Sequence, residues 1–363
     1  MSMRRGFKEA AGEFVEGATQ PSLLALTIAV VTVLILGLCC TVFITPATSK
    51  DMSAYFHPGP HARLTADAMA LSLDDDKTPI VVILGASDTR ESLRDHEGIA
   101  DTVFERTGVR PIIYNFATSE ESLWEMAALI EQIPKEREAF IVIGIGAGRM
   151  ALGPERLAEA IANPRLGFRS LILEEEAERL GMATAFSTGN HFLDNSKFYL
   201  VRMNDFAINV MRQRRYPRTY NFYDGTSPAT DDEWLLFEDN LRRRVEGYDS
   251  NADNNFEILE RILQRISANP MQSAVILLAA KNPRDVLNGT WERLYQKNLN
   301  RMTKFTQEQG VNFWQLDSEV GINSSDFHDA SHMNNQDTQL RYRDALAERI
   351  AAEFSDREKE TGL

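Results

Sequence analysis

Ile80-Val81-Val82-Ile83-Leu84-Gly85-Ala86-Ser87-Asp88-Thr89-Arg90-Glu91 is the stretch that decides the fold. Five consecutive apolar residues, most of them β-branched, suit a strand buried on both faces. Gly85 then marks a tight turn, and the polar residues after it open a helix. Four other runs share this character: Pro111–Phe116, Phe140–Ile145, Ala274–Ala279 and Val311–Leu316. Helical patterns fall between and after them, at Ser119–Ile133, Phe256–Ile266, Thr290–Gln309 and Gln339–Phe354. Strands alternating with helices predict an α/β fold around a parallel five-stranded sheet. Functional groups in such sheets gather at the carboxyl ends of the strands, and Ser87, Thr118 and Gly146 all follow such ends.

The rhythm lapses between 151 and 255. That segment interleaves arginines with aromatics, as in Arg212–Arg218 and Tyr220-Asn-Phe-Tyr223. It reads as a largely helical insertion over the sheet edge or the active face. A substrate cap and ordinary packing with solvated charge are the two readings of it.

Residues 22–45 contain no charged group and lie between Pro21 and Pro46. As a helix they span about 36 Å at about 1.5 Å per residue, enough to cross a bilayer. A cleaved signal peptide is the competing reading, but its apolar core is normally about 7–15 residues long. The segment before the span also carries Glu9, Glu13 and Glu16, and Leu38 precedes Cys39 where a lipobox needs a small residue. The expected organisation is a cytoplasmic segment 1–21, a transmembrane helix 22–45, a juxtamembrane linker and short helix 46–78, and an extracytoplasmic domain 79–363. Arg4, Arg5 and Lys8 before the span, against Lys50 alone close behind it, place the N-terminus in the cytoplasm. A single-pass protein of a bacterial inner membrane, with its main domain in the periplasm, is the expectation.

The formal charge of −14 lies beyond the span, because the three basic and three acidic residues of 1–21 cancel. No basic tract offsets it, which argues against a nucleic-acid partner. Cys39 and Cys40 are the only cysteines and both fall in the apolar run. The outer domain therefore has no disulfide, thiol nucleophile or cysteine metal site. With about 300 residues it can build a sufficient core without them.

A serine on a strand–Gly–x–Ser–helix turn presents its hydroxyl at a helix N-terminus, where its own N–H and the helix dipole favour an oxyanion. Simple capping is the plain alternative, with Ser87 or Asp88 as N-cap and Asp88 and Glu91 spaced like a capping box. Asp329-Ala-Ser-His332 lies in a polar segment before the last helix. A histidine held by a carboxylate can take a serine proton and return it to a leaving group. Asp326 and His328 are rivals in the same segment. His328 and His332 also have the i, i+4 spacing of a zinc pair on a helix, but no third ligand is evident, and neither metal nor cofactor is expected.

Serine after the first strand, Asp-x-x-His before the final helix, and the run His332-Met-Asn-Asn-Gln-Asp-Thr-Gln-Leu-Arg-Tyr-Arg-Asp-Ala-Leu346 resemble the SGNH/GDSL hydrolase superfamily. The likeness covers 79–150 and 256–354. It implies a three-layer, flavodoxin-like α/β fold with Ser87 as nucleophile, His332 as base and Asp329 as its partner. Two blocks depart from that family. Tyr114–Glu121 lacks its glycine and Gly144–Arg149 lacks its asparagine, so Ser119, Gly146 and Arg149 are the candidates to stabilise an oxyanion or contact substrate. The anchored arrangement further resembles envelope polysaccharide O-acetyltransferase and D-alanine-transfer proteins. That likeness implies a serine-dependent acyltransferase or esterase, with a cell-envelope polysaccharide and a multi-span membrane-bound O-acyltransferase as partners. A catalytically impaired scaffold that binds glycan or that membrane partner is the alternative.

Overall fold

The computed structural model describes residues 22–47, 53–56, 61–162, 164–168, 170–182, 194–195, 198, 206–217, 220–286 and 290–361. The expected cytoplasmic segment 1–21, much of the linker, and parts of the insertion lie outside the described residues.

Five strands form one sheet: β1 (Ile80–Leu84), β2 (Ile112–Asn115), β3 (Ala139–Ile145), β4 (Gln272–Leu278) and β5 (Asn312–Trp314). Their order is β2-β1-β3-β4-β5 and every pairing is parallel. Ile80 pairs with both Ile112 and Ala139, Ala139 with Gln272, and Val275 with Asn312. This is a doubly wound order, in which the chain winds one way from β1 to β2 and the other way from β3 onward. The crevice between the carboxyl ends of β1 and β3 is therefore the topological switch point.

The continuous apolar runs follow from burial on both faces. Ile80, Val82, Leu84, Ile141 and Ile143 point into one core, while Val81, Ile83, Phe140 and Val142 point into the other. In naming the helices that frame the site, α1 is Leu23–Ala47, α2 Ser87–Glu91, α3 Gly98–Thr107, α4 Leu123–Ile130, α5 Ala147–Met150, α6 Asp231–Ser267, α7 Thr290–Gln309 and α8 Gln336–Thr361. The first core is closed by α4, by Ile258, Leu259 and Ile262 of α6, and by Leu294, Met302 and Phe305 of α7. The second is closed by Ile99 and Val103 of α3 and by Tyr342, Leu346, Ile350 and Phe354 of α8. Each fully buried aliphatic side chain contributes about 1.5–3 kcal/mol, so the sheet is a rigid platform for groups at its carboxyl edge.

Three helices differ from the sequence expectation, α8 by running from Gln336 to Thr361 rather than from Gln339 to Phe354. Helix α4 begins at Leu123 rather than Ser119, because Glu120 is left-handed (φ 55°) and Ser122 is the N-cap, paired with Glu125 in a capping box. Helix α6 runs 37 residues from a Thr230–Glu233 capping box, so the expected insertion boundary at 255 falls inside it.

Helix α1 contains no acidic or basic residue in its first or last turn, and Leu23, Leu24, Val33 and Leu34 are exposed. Its described side chains end at Ile35, and among the residues so described no helix is long and apolar enough to cross a membrane.

Candidate functional site

The turn after β1 is built around Gly85, whose φ of 152° favours glycine. A Cβ on Gly85 or on Gly144 would lie 2.4 Å or 2.2 Å from Thr89 Oγ1, so the Thr89 side chain wedges between two bare backbones. Two more contacts fix the turn. Gly85 N–H donates to the buried Glu121 Oε2 at 3.0 Å, and Thr118 N–H donates to Gly85 O at 2.9 Å. Ala86, not Ser87 or Asp88, is the N-cap of α2, and no side chain caps it. The capping reading of Ser87 is thereby displaced, and its half-buried hydroxyl has another partner.

That partner is His332. His332 Nε2 lies 2.8 Å from Ser87 Oγ, and His332 Nδ1 lies 2.7 Å from Asp329 Oδ2. Asp329 Oδ1 accepts the backbone N–H groups of Ser331 (2.8 Å) and His332 (2.9 Å). Burial pushes the Asp329 carboxyl up, but the hydrogen bond and charge of His332 and the two N–H donors bring it below the ordinary range. Asp329 therefore stays ionised and fixes the tautomer with the proton on Nδ1. Nε2 is then the acceptor facing the serine hydroxyl.

The loop bearing Asp329 and His332 is a turn, not a helix. His328 N–H donates to His332 O, and Phe327 bridges Met333. His328 turns its Nδ1 to Ser227 O at 2.6 Å, while both ring nitrogens of His332 are engaged by Ser87 and Asp329. The i, i+4 zinc geometry on a helix is thus not formed. Among the described residues no group of three His, Cys, Asp or Glu side chains is placed to hold a metal. Asp326, the rival carboxylate, instead accepts Asn323 N–H at 2.8 Å within its own turn.

A strap from the expected insertion ties the site together. The Tyr223 ring stacks on His332, Ala229 N–H donates to His328 O, and Asn334 Nδ2 donates to Thr226 O. Gln339 of α8 donates to both Glu91 O and Met333 O at 2.9 Å, joining the serine helix to the histidine loop.

The remaining candidates are placed less directly. Gly146 is the N-cap of α5 at the switch point, beside Asp88 and Lys281. Arg149 acts on Asp88 by charge and lines a cavity of about 450 Å³ shared with Arg165, Glu125, Glu155 and Asn251. The Ser119 carbonyl accepts from Arg165 at 3.4 Å, and among the described residues Ser119 has no hydrogen bond to Ser87, His332 or Asp329. Sequence reasoning missed Lys281, Tyr223 and Glu121. Lys281 had one visible signal, its position directly after the apolar run of β4 at the sheet's carboxyl edge.

Neither the scan against protein-family models nor the search of curated proteins finds a match to this chain.

Proposed function

We propose that this chain is a serine-dependent O-acyltransferase or esterase of the SGNH kind. It would be held at a bacterial inner membrane by residues 22–45 and act outside it on the O-acyl groups of a cell-envelope polysaccharide. The observation that carries the reading is the hydrogen-bonded chain Ser87–His332–Asp329, with links of 2.8 Å and 2.7 Å, at the switch point of a parallel sheet.

In this reading Ser87 Oγ attacks the carbonyl carbon of an acyl ester while its proton passes to His332 Nε2. The carbonyl electron pair moves to oxygen as a tetrahedral oxyanion forms. Collapse breaks the bond to the leaving alcohol, which takes the proton back from His332, and an acyl-Ser87 ester remains. A sugar hydroxyl or water then repeats the sequence, giving transfer or hydrolysis. The polar cavity beside Arg149 is the natural berth for an acceptor sugar, since it opens at the same carboxyl edge of the sheet. A multi-span O-acyltransferase is the partner that would deliver the acyl group.

A second reading keeps the fold and discards turnover. It is favoured by Gly146, which offers no side-chain donor where the SGNH pattern has an asparagine, and it makes the domain a glycan-binding or partner-binding scaffold.

The test is release of p-nitrophenol from p-nitrophenyl acetate by the full-length protein in mild detergent. Turnover abolished by both Ser87→Ala and His332→Ala is the expected result. Turnover retained by Ser87→Ala overturns the acyl-enzyme. Absence of turnover in the wild type, together with polysaccharide binding indifferent to both substitutions, favours the scaffold.

A further inference from the structure

A tetrahedral oxyanion next to Ser87 needs donors, and the two blocks that would supply side-chain or glycine donors by resemblance lack them. The space beside Gly146 is occupied from another direction. A carbon placed on Gly146 as Cβ would sit 3.0 Å from Asp88 Oδ2, 3.4 Å from Lys281 Cε and 3.5 Å from Lys281 Nζ. Lys281 Nζ donates to Asp88 Oδ2 at 2.9 Å, and the two side chains are only 15% and 11% exposed. The ammonium is therefore held at the switch point, on the carboxylate of Asp88, the residue that directly follows the serine bonded to His332.

Its mounting is rigid. Lys281 lies just past β4, after Ala279 and Ala280, and its neighbour Asn282 donates its N–H to Ala330 O and its side chain to Asp329 O, both at 3.1 Å. The lysine backbone is thus tied to the loop that carries Asp329 and His332. An ammonium has three donors; one goes to Asp88, and among the described residues no second acceptor takes another.

We propose that Lys281 is a catalytic residue whose Nζ donates to the oxyanion formed at Ser87, replacing the donors absent from the Tyr114–Glu121 and Gly144–Arg149 segments. The proposal rests on Ser87 being the nucleophile. Lys281 keeps all its protons throughout. The negative charge that develops on the carbonyl oxygen is matched by a charge already in place, so no solvent need reorganise as the bond forms. Asp88 orients the ammonium and sits close enough to feel Arg149 and His332 as well as Lys281.

The experiment measures steady-state p-nitrophenyl acetate cleavage by the full-length protein and four variants: Lys281→Met, Lys281→Arg, Asp88→Asn and Lys281→Met/Asp88→Asn. Lys281→Met is expected to lower kcat about 100-fold or more with KM within about threefold, the size of effect seen when one oxyanion donor is lost. Lys281→Arg should recover part of the loss. Asp88→Asn keeps the ammonium and should cost less than about tenfold. Removing Lys281 alone strands a buried carboxylate and can unfold the protein. The double variant removes the pair together, and it must show the same loss as Lys281→Met. A double variant within about threefold of wild type overturns the role of Lys281 while leaving Ser87 as nucleophile. A wild type whose turnover is absent or insensitive to Ser87→Ala overturns the reading beneath it, and the proposal falls with it.

Discussion

The ring of Tyr223 lies against the imidazole of His332, with centroids 4.4 Å apart and planes 23° from parallel. The same ring stacks on His328 at 4.9 Å and 26°. Tyr223 belongs to the segment that strays from the βα rhythm, so the insertion reaches into the site and sets the plane of the histidine that faces Ser87.

Stacked rings contribute about 0.5–1.5 kcal/mol beyond the area they bury. Tyr223→Ala is therefore expected to lower kcat about 3- to 10-fold through loss of imidazole orientation. Tyr223→Phe, which keeps the ring, should stay close to wild type. Steady-state kinetics on the two variants check this. Equal losses in both would assign the effect to the hydroxyl instead of the stack.

Thr89 sets a second condition, between β1 and β3. Gly144→Ala places a methyl 2.2 Å from Thr89 Oγ1 at a position with no left-handed backbone requirement, so the clash is purely steric. Overpacking of this kind costs about 1–3 kcal/mol, and a thermal melt should show a fall of several degrees with loss of turnover. Gly144→Ala/Thr89→Ala removes the nearest atoms and should recover part of the stability. No recovery would mean that something other than Thr89 demands the glycine.

The sheet was legible because burial on both faces leaves unbroken apolar runs, as in Ile80–Leu84, where alternate residues enter opposite cores. Ser87, Asp329 and His332 were legible because each sits on a polar turn beside a regular element. Helix α6 was legible only in its last third, because exposed Arg242, Glu246, Asp249 and Asp253 along its earlier turns hide the apolar period. Its Thr230-x-x-Glu233 cap was the missed signal. Lys281 was not singled out, since its partner Asp88 lies 193 positions away and no local pattern encodes that contact.

Glu121 supports the serine turn from below. It is fully buried, its Oε2 accepts Gly85 N–H, and its Oε1 has no hydrogen-bond partner among the described residues. Burial pushes its carboxyl well above the ordinary range, with Gly85 N–H, Arg149 and Arg165 opposing the shift and Glu125 adding to it. Glu121→Gln keeps an acceptor for Gly85 and should cost less than about 1 kcal/mol, whereas Glu121→Ala strands that N–H and should cost about 1–3 kcal/mol. Denaturant midpoints at neutral pH distinguish them. Equal destabilisation by both would show that the Gly85 hydrogen bond is not what Glu121 provides.

Asp317 gives the fold a pH dependence of its own. Burial pushes its carboxyl up to about 7, against the Lys281 backbone N–H and charge, and its Oδ1 is shut off from solvent with no hydrogen-bond partner among the described residues. A carboxyl raised in the folded state favours folding most below its unfolded pKa of about 3.8, where it is protonated in both states. That contribution is lost as pH rises from there through about 7, because the folded state must then bury a charge. The wild type is thus expected to lose about 2 kcal/mol from this group between pH 4 and 8, after discounting for its partial exposure. Asp317→Asn keeps the acceptor for the Lys281 N–H and cannot ionise. Its urea midpoint should therefore fall less than that of the wild type over the same interval, and the two proteins should differ most at pH 8. Parallel pH profiles for both would show that Asp317 ionises as freely in the fold as in the unfolded chain.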